Sequence, residues 1–203
     1  MKYDKPVSKE HVEATMEALK ESGINSIYVK DQNEAKSKIK ELIPEGAEIM
    51  TMTSTTLDQL GIAEYINESG KYNSVRAKLM SMDRAKEGKE MNRLGAAPEY
   101  TIGSVHAVTQ DGKVVIASNT GSQLPAYVYA ANKVIWVVGT QKIVKNLDEA
   151  LDRIYSYVLP LESERAHQAY GVPGSNVSKL LIVNKEIVPD RITVIFIDEA
   201  LGF

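Results

Sequence analysis

The chain has 203 residues, 43% of them hydrophobic and 25% charged; 24 basic and 27 acidic residues give a formal net charge of −3. At about 150 residues per domain this predicts a single domain, and one that hides about 70% of the unfolded surface without covalent staples. Cysteine is absent, which excludes disulfides, thiolate nucleophiles and cysteine-held zinc or iron–sulfur centres in this chain, and no basic excess exists to neutralise a nucleic-acid backbone.

The densest apolar run, Val134-Ile135-Trp136-Val137-Val138, is five residues long, where a membrane span needs about 20. The first residues, Met1-Lys2-Tyr3-Asp4-Lys5-Pro6, mix charges of both signs with no apolar stretch behind them. They read as neither a secretory signal nor a transit peptide. A cytoplasmic protein is the default expectation.

In chain order, Val12, Met16 and Leu19 recur at helical steps, so residues 8–22 are predicted as a helix with Ser8 as its cap. Gly23 ends it, and residues 26–30 form a short strand. Asp31 with Glu34 makes a capping box for a second helix that closes near Ile43, ahead of Pro44. Residues 48–52 form a second strand. This alternation predicts a largely parallel α/β sheet. Residues 54–69 read as a helix interrupted at Gly61. Between 70 and 98 the only clear element is a polar helix over 83–94.

Residues 100–109 and 113–118 read as two strands around Asp111-Gly112, a strong hairpin signal. A short helix is predicted over 122–131, with Pro125 in its first turn. Residues 133–139 read as a central strand, because an unbroken apolar run implies cover on both faces. Asn146 and Glu149 form another capping box. Their helix is expected to reach Val158 and to stop at Pro160. Residues 170–178 read as a loop, and 180–184 and 192–197 as late strands.

Three of these strands end in small polar residues. Thr53-Ser54-Thr55-Thr56 follows the second strand, Asn119-Thr120-Gly121-Ser122 follows the hairpin, and Gly139-Thr140 follows the central strand. In open α/β sheets ligands sit outside the carboxyl ends of the strands. Hydroxyls, glycine and the amides of a helix start suit an anion there. Helix caps require the same residues, so the two readings stand about level. Ser54, Thr55, Thr56, Asn119, Thr120, Gly121 and Ser122 are therefore expected to meet on one cleft. Arg165 could clamp a carboxylate or phosphate bidentately, the alternative being an exposed arginine.

Standard motifs are missing. No Gly-x-Gly-x-x-Gly follows a strand, and neither a P-loop nor a Gly-x-Ser-x-Gly elbow occurs. His11, His106 and His167 are widely spaced, so no metal site is expected. His106 reads as mid-strand, sharing a face with Ser104 and Val108; structural use of such a histidine is commoner than catalysis. Tyr127 and Tyr129 could line a pocket, with packing the commoner use.

A resemblance enters here. Glu99-Tyr-Thr-Ile-Gly-Ser-Val-His-Ala-Val-Thr-Gln-Asp-Gly-Lys-Val-Val-Ile-Ala-Ser-Asn-Thr-Gly-Ser-Gln resembles a segment of the LUD domain family, the family of lactate-utilisation proteins. Lys133-Val-Ile-Trp-Val-Val-Gly-Thr-Gln-Lys-Ile-Val-Lys-Asn-Leu-Asp-Glu-Ala, Ser54-Thr-Thr-Leu-Asp-Gln-Leu-Gly-Ile and Arg191-Ile-Thr-Val-Ile-Phe-Ile-Asp-Glu-Ala-Leu-Gly-Phe are similar to further family segments in the same order. His106 stands where asparagine is usual, Asn119-Thr120 where Asp-Gly is common, and Gln59 where glutamate is frequent. The cysteine cluster that relatives often carry before the last strands has no counterpart between His167 and Asn184.

The resemblance implies a three-layer, mostly parallel open sheet of the ribose-phosphate isomerase, glucosamine-phosphate deaminase and CoA-transferase type. It implies a role in lactate or organic-acid utilisation, with a small anionic ligand such as a carboxylate, phosphosugar or CoA ester. Iron–sulfur or other redox proteins would be the partners, because the chain has no redox group of its own. Two other classes remain open: an independent enzyme of the CoA-transferase or sugar-phosphate isomerase kind, and a non-catalytic regulatory module. A carboxylate at the strand ends would favour an enzyme. Asp58 and Glu99 are the candidates, with His106 as a further acid or base. Cofactor and oligomeric state stay undetermined, a homo-oligomer included.

Overall fold

The structure, a computed structural model, describes residues 2–203. A sheet of six parallel strands forms its middle layer. In spatial order these are β1 (Asn25–Val29), β10 (Ile192–Ile197), β7 (Lys133–Gly139), β4 (Tyr100–Gly103), β2 (Glu48–Thr51) and β3 (Asn73–Ser74). Alternation along the central strand shows why it is apolar throughout. Val134, Trp136 and Val138 face one core, while Ile135 and Val137 face the other. Trp136 is fully buried, its ring edge-on to Tyr127 at 5.5 Å between centroids.

One face of this sheet is covered by α2 (Gln32–Leu42), α3 (Thr55–Gln59) and α4 (Ile62–Glu68), through Ile39, Leu57 and Ile66. The opposite face meets α1 (Lys9–Glu21) and α5 (Val75–Met80), through Leu19 and Val75. It also meets a second sheet of four strands: β8 (Ile143–Val144), β5 (Ala107–Thr109), β6 (Val114–Ser118) and β9 (Lys179–Val183). The outer side of the second sheet packs on α7 (Leu147–Arg153) through Ala107, Val115 and Ala150.

Both expected capping boxes form. Asp31 accepts from the Asn33 and Glu34 amides at 2.8 and 3.0 Å, and Asn146 from the Glu149 amide at 3.0 Å. In each case the glutamate reaches back to the amide of the residue just before the cap. Ser8 stands at the N-cap of α1, but its hydroxyl pairs with the His11 ring instead of the helix amides. Gly61 separates α3 from α4 in a left-handed conformation. The polar helix is α6 (Arg84–Ala96), capped by Asp83.

Two expectations are corrected. Residues 100–109 are not one strand. β4 belongs to the parallel sheet, the chain turns at Ser104-Val105-His106, and β5 begins the second sheet. Gly103 is the last residue of β4, and a Cβ there would lie 1.9 Å from the Tyr127 hydroxyl. The hairpin over Asp111-Gly112 is present, yet it builds the second sheet. Pro160 does not end its helix either. α7 runs into a π-helical turn, Ile154–Val158, and then into α8 (Leu159–Tyr170). The proline sits in the first turn of α8, where the wider turn removes the need for its missing N–H.

Candidate functional site

The carboxyl ends of β2, β4 and β7 open on a cleft of about 940 Å³ between the two sheets and the 147–170 helix. Ser54, Thr55 and Thr56 line it, and so do Asn119, Thr120, Gly121 and Ser122. The second group arrives from the second sheet and not, as expected, from a neighbouring parallel strand. The loop is held internally. Ser118 Oγ donates to Gln123 and accepts the Gly121 amide, and the Ser178 hydroxyl donates to Asn119 Oδ1. Ser54 caps α3 by accepting the Leu57 amide. Both expected helix starts are short, since α3 and the π turn Ala126–Ala130 each have five residues. A helix dipole therefore contributes little here, and side chains supply the charge.

Gly121 has φ +86°. The Cβ of any replacement would sit 2.7 Å from Lys179 Cδ rather than block the cleft. Gly121→Val is expected to destabilise by roughly 1–2 kcal/mol through left-handed backbone strain. Urea unfolding checks this, and an unchanged midpoint would refute it.

Arg165 reaches the cleft, but its fork is taken. Nε and an Nη bind both oxygens of Glu162 at 2.7 Å, which pushes its pKa up further. Arg76, in the stretch the sequence left without motif, has the freer guanidinium. Its Nε and Nη2 donate to the Thr51 carbonyl at 3.0 and 2.8 Å. Among the described residues no carboxylate forms an ion pair with it. Burial lowers its pKa, opposed by Tyr170 and Asp58. Asp58 also lines the cleft, its pKa raised by partial burial against the pull of Arg165 and Arg76.

Glu99 lies elsewhere. It immediately precedes β4, at the amino end of the strand, and is exposed. It is corrected out of the site, because strand-end chemistry gathers at the other edge. His106 sits at the turn between the sheets, not mid-strand, and lines the cleft. Its Nδ1 accepts the Ala117 amide at 3.1 Å, so the proton is assigned to Nε2. Burial, helped by the charges of Lys142 and Arg153, pushes its pKa down to about 3. At neutral pH the ring is an N–H donor and a poor base.

Besides Arg76, sequence reading missed Lys142, in the turn after β7. It lines the cleft while only 2% exposed. Its Nζ lies 3.0 Å from Thr56 Oγ1 and 3.1 Å from Ser104 Oγ. Among the described residues no carboxylate pairs with it. Burial, and behind it the charge of Arg153, drives its pKa well below the usual lysine value. A position two residues past a strand-end glycine and threonine was the available signal.

The family model described as "LUD domain" matches residues 12–197. The chain belongs to the LUD domain family. No curated protein matches it significantly. Among solved structures, this LUD domain is similar to a DUF162 family protein from Deinococcus radiodurans, with a TM-score of 0.59 at 12% identity. The likeness covers 95% of this chain and 99% of that one, and it shows a shared fold. Every cleft residue named above falls within the LUD match. Among the described residues the LUD chain has no cluster of His, Asp and Glu that could hold a metal ion, and no helix long and apolar enough to cross a membrane.

Proposed function

We propose that the cleft binds a small anionic metabolite, a carboxylate or phosphate ester, and that the protein serves lactate or organic-acid utilisation beside redox partner proteins. Arg76 carries the reading. A half-buried guanidinium fastened to the Thr51 carbonyl, with no carboxylate of its own to bind, is a cation prepared for an anion. His106 Nε2–H and the cleft hydroxyls add neutral donors. The carboxylate that would favour an enzyme is present in Asp58 and absent in Glu99. The volume, about 940 Å³, exceeds what a three-carbon acid fills and favours the phosphosugar or CoA-ester size class.

Calorimetry with L-lactate, pyruvate, ribose 5-phosphate and acetyl-CoA tests the reading. A binder from this panel should lose about 10- to 100-fold affinity in Arg76→Met, as expected when a charged hydrogen bond is removed. Equal affinity in the variant, or no binding across the panel, would refute it.

A further inference from the structure

We infer that Lys142 is a carbonyl-reactive amine, placed to form an imine with a ketone or aldehyde that carries a carboxylate or phosphate. The inference rests on the anion reading above and deepens it by naming the reacting group of the ligand. The geometry begins with Thr56. Its hydroxyl donates to the Leu201 carbonyl, so its oxygen is left to accept from Lys142 Nζ. Ser104 Oγ lies within hydrogen-bond distance of the same nitrogen. Two hydroxyls thus hold the two N–H bonds of an unprotonated amine, and its lone pair is the remaining vertex.

Close packing fixes this arrangement. A Cβ on Gly202 would fall 2.4 Å from Thr56 Oγ1 and 3.4 Å from Nζ. The C-terminal segment is therefore pressed against the lysine, and the amine cannot swing out to water as exposed lysines do. The charged neighbour, Arg153, is itself buried and repels an ammonium. A buried lysine with hydroxyl partners and no carboxylate is a costly structural element and a ready nucleophile.

In the reaction the Nζ lone pair adds to the carbonyl carbon as the π pair moves to oxygen. One amine proton passes to that oxygen, giving a carbinolamine. The hydroxyl then leaves with the second amine proton as water, and a C=N bond forms. Amine and carbonyl give imine and one water, with no oxidant or reductant. Ser104, in contact with Nζ and lining the cleft, is positioned to pass the proton between nitrogen and oxygen.

The experiment treats the whole protein with borohydride and either pyruvate or ribose 5-phosphate, followed by peptide mapping by mass spectrometry. The two probes separate a 2-oxo acid from a sugar phosphate. Surface lysines are unprotonated about one part in a thousand at neutral pH. Modification at Lys142 should therefore exceed that at any other lysine by at least about tenfold, and Lys142→Met should lose the adduct. Lys142 left unmodified by both probes, or modified no more than surface lysines, would overturn the inference. Mapping the wild-type protein keeps this outcome decisive even if Lys142→Met folds poorly. Calorimetry on the same samples separates the two readings. Binding without an adduct ends the imine inference and leaves the anion site standing, whereas an adduct that forms equally in Arg76→Met supports the amine and counts against the arginine.

Discussion

Arg191→Met is expected to lower stability by about 3–5 kcal/mol, the usual effect of breaking one side of a buried ion pair. Arg191 is 6% exposed, and every part of its guanidinium is used. Nε donates to the Ala131 carbonyl at 3.0 Å. One Nη donates to the Ala126 and Tyr127 carbonyls at 2.9 and 3.0 Å, and the other to Glu186 at 2.7 Å. Two of these carbonyls belong to the π turn that carries Tyr127 against Trp136, and that of Ala131 follows it directly. Methionine fills the volume but leaves these acceptors and a mostly buried glutamate without their donor. Thermal melting should fall by roughly 6–20 °C for a chain of this size. A drop of less than about 2 °C, under 1 kcal/mol by the same scale, would mean the network is dispensable. The double variant with Glu186→Gln separates the lost ion pair from the lost carbonyl bonds.

Acid should weaken the fold through His106. Its pKa is about 3 in the folded chain against an ordinary 6.5, so between those values the unfolded chain binds the extra proton. The stability tied to the neutral ring is complete above pH 6.5 and is lost as pH falls toward 3. At about 1.4 kcal/mol per unit this amounts to about 2 kcal/mol by pH 5 and about 4 kcal/mol by pH 3, where the folded ring is itself half protonated. Protonation would also force Nδ1 to give up the Ala117 amide. His106→Asn keeps an acceptor for that amide and cannot titrate. Urea unfolding at pH 7 and pH 5 should show the variant gaining about 2 kcal/mol on the wild-type chain between the two conditions. Parallel pH slopes for the two proteins would show that the ring is not the source.

The parallel sheet was legible because burial on two faces leaves a plain mark: Val134 to Val138 has no polar residue to spare for solvent. Local chemistry placed α2 and α7, since Asp31 and Asn146 need only their own next turn. The split at Ser104-Val105-His106 was hidden, because period-two alternation reads the same whether a strand continues or passes to another sheet. Glu99 was misplaced for a related reason: pattern gives a strand without saying which end a ligand meets. The serine, threonine and glycine loops were readable as a group, but Lys142 was not. Its seclusion depends on Leu201 and Gly202, some sixty residues away, and nothing beside it in the chain signals burial. Arg76 lay in a polar stretch where an arginine carries no pattern.

The π turn at Ile154–Val158 sets the far wall of the cleft by counting residues. Before it, Ala150 packs on the second sheet; Ile154, at its start, meets both that sheet and the cleft; after it, Glu162, Arg165 and Ala166 line the cleft. Each residue advances a helix by about 100°, and the wider turn holds one more residue than an α-turn would. An α-helix that took up the same extra residue without the wider turn would carry everything after it round by about a quarter of a circle, taking the Glu162–Arg165 pair off the cleft. The phase of this helix, and not only the identity of its side chains, thus decides what the cleft wall presents.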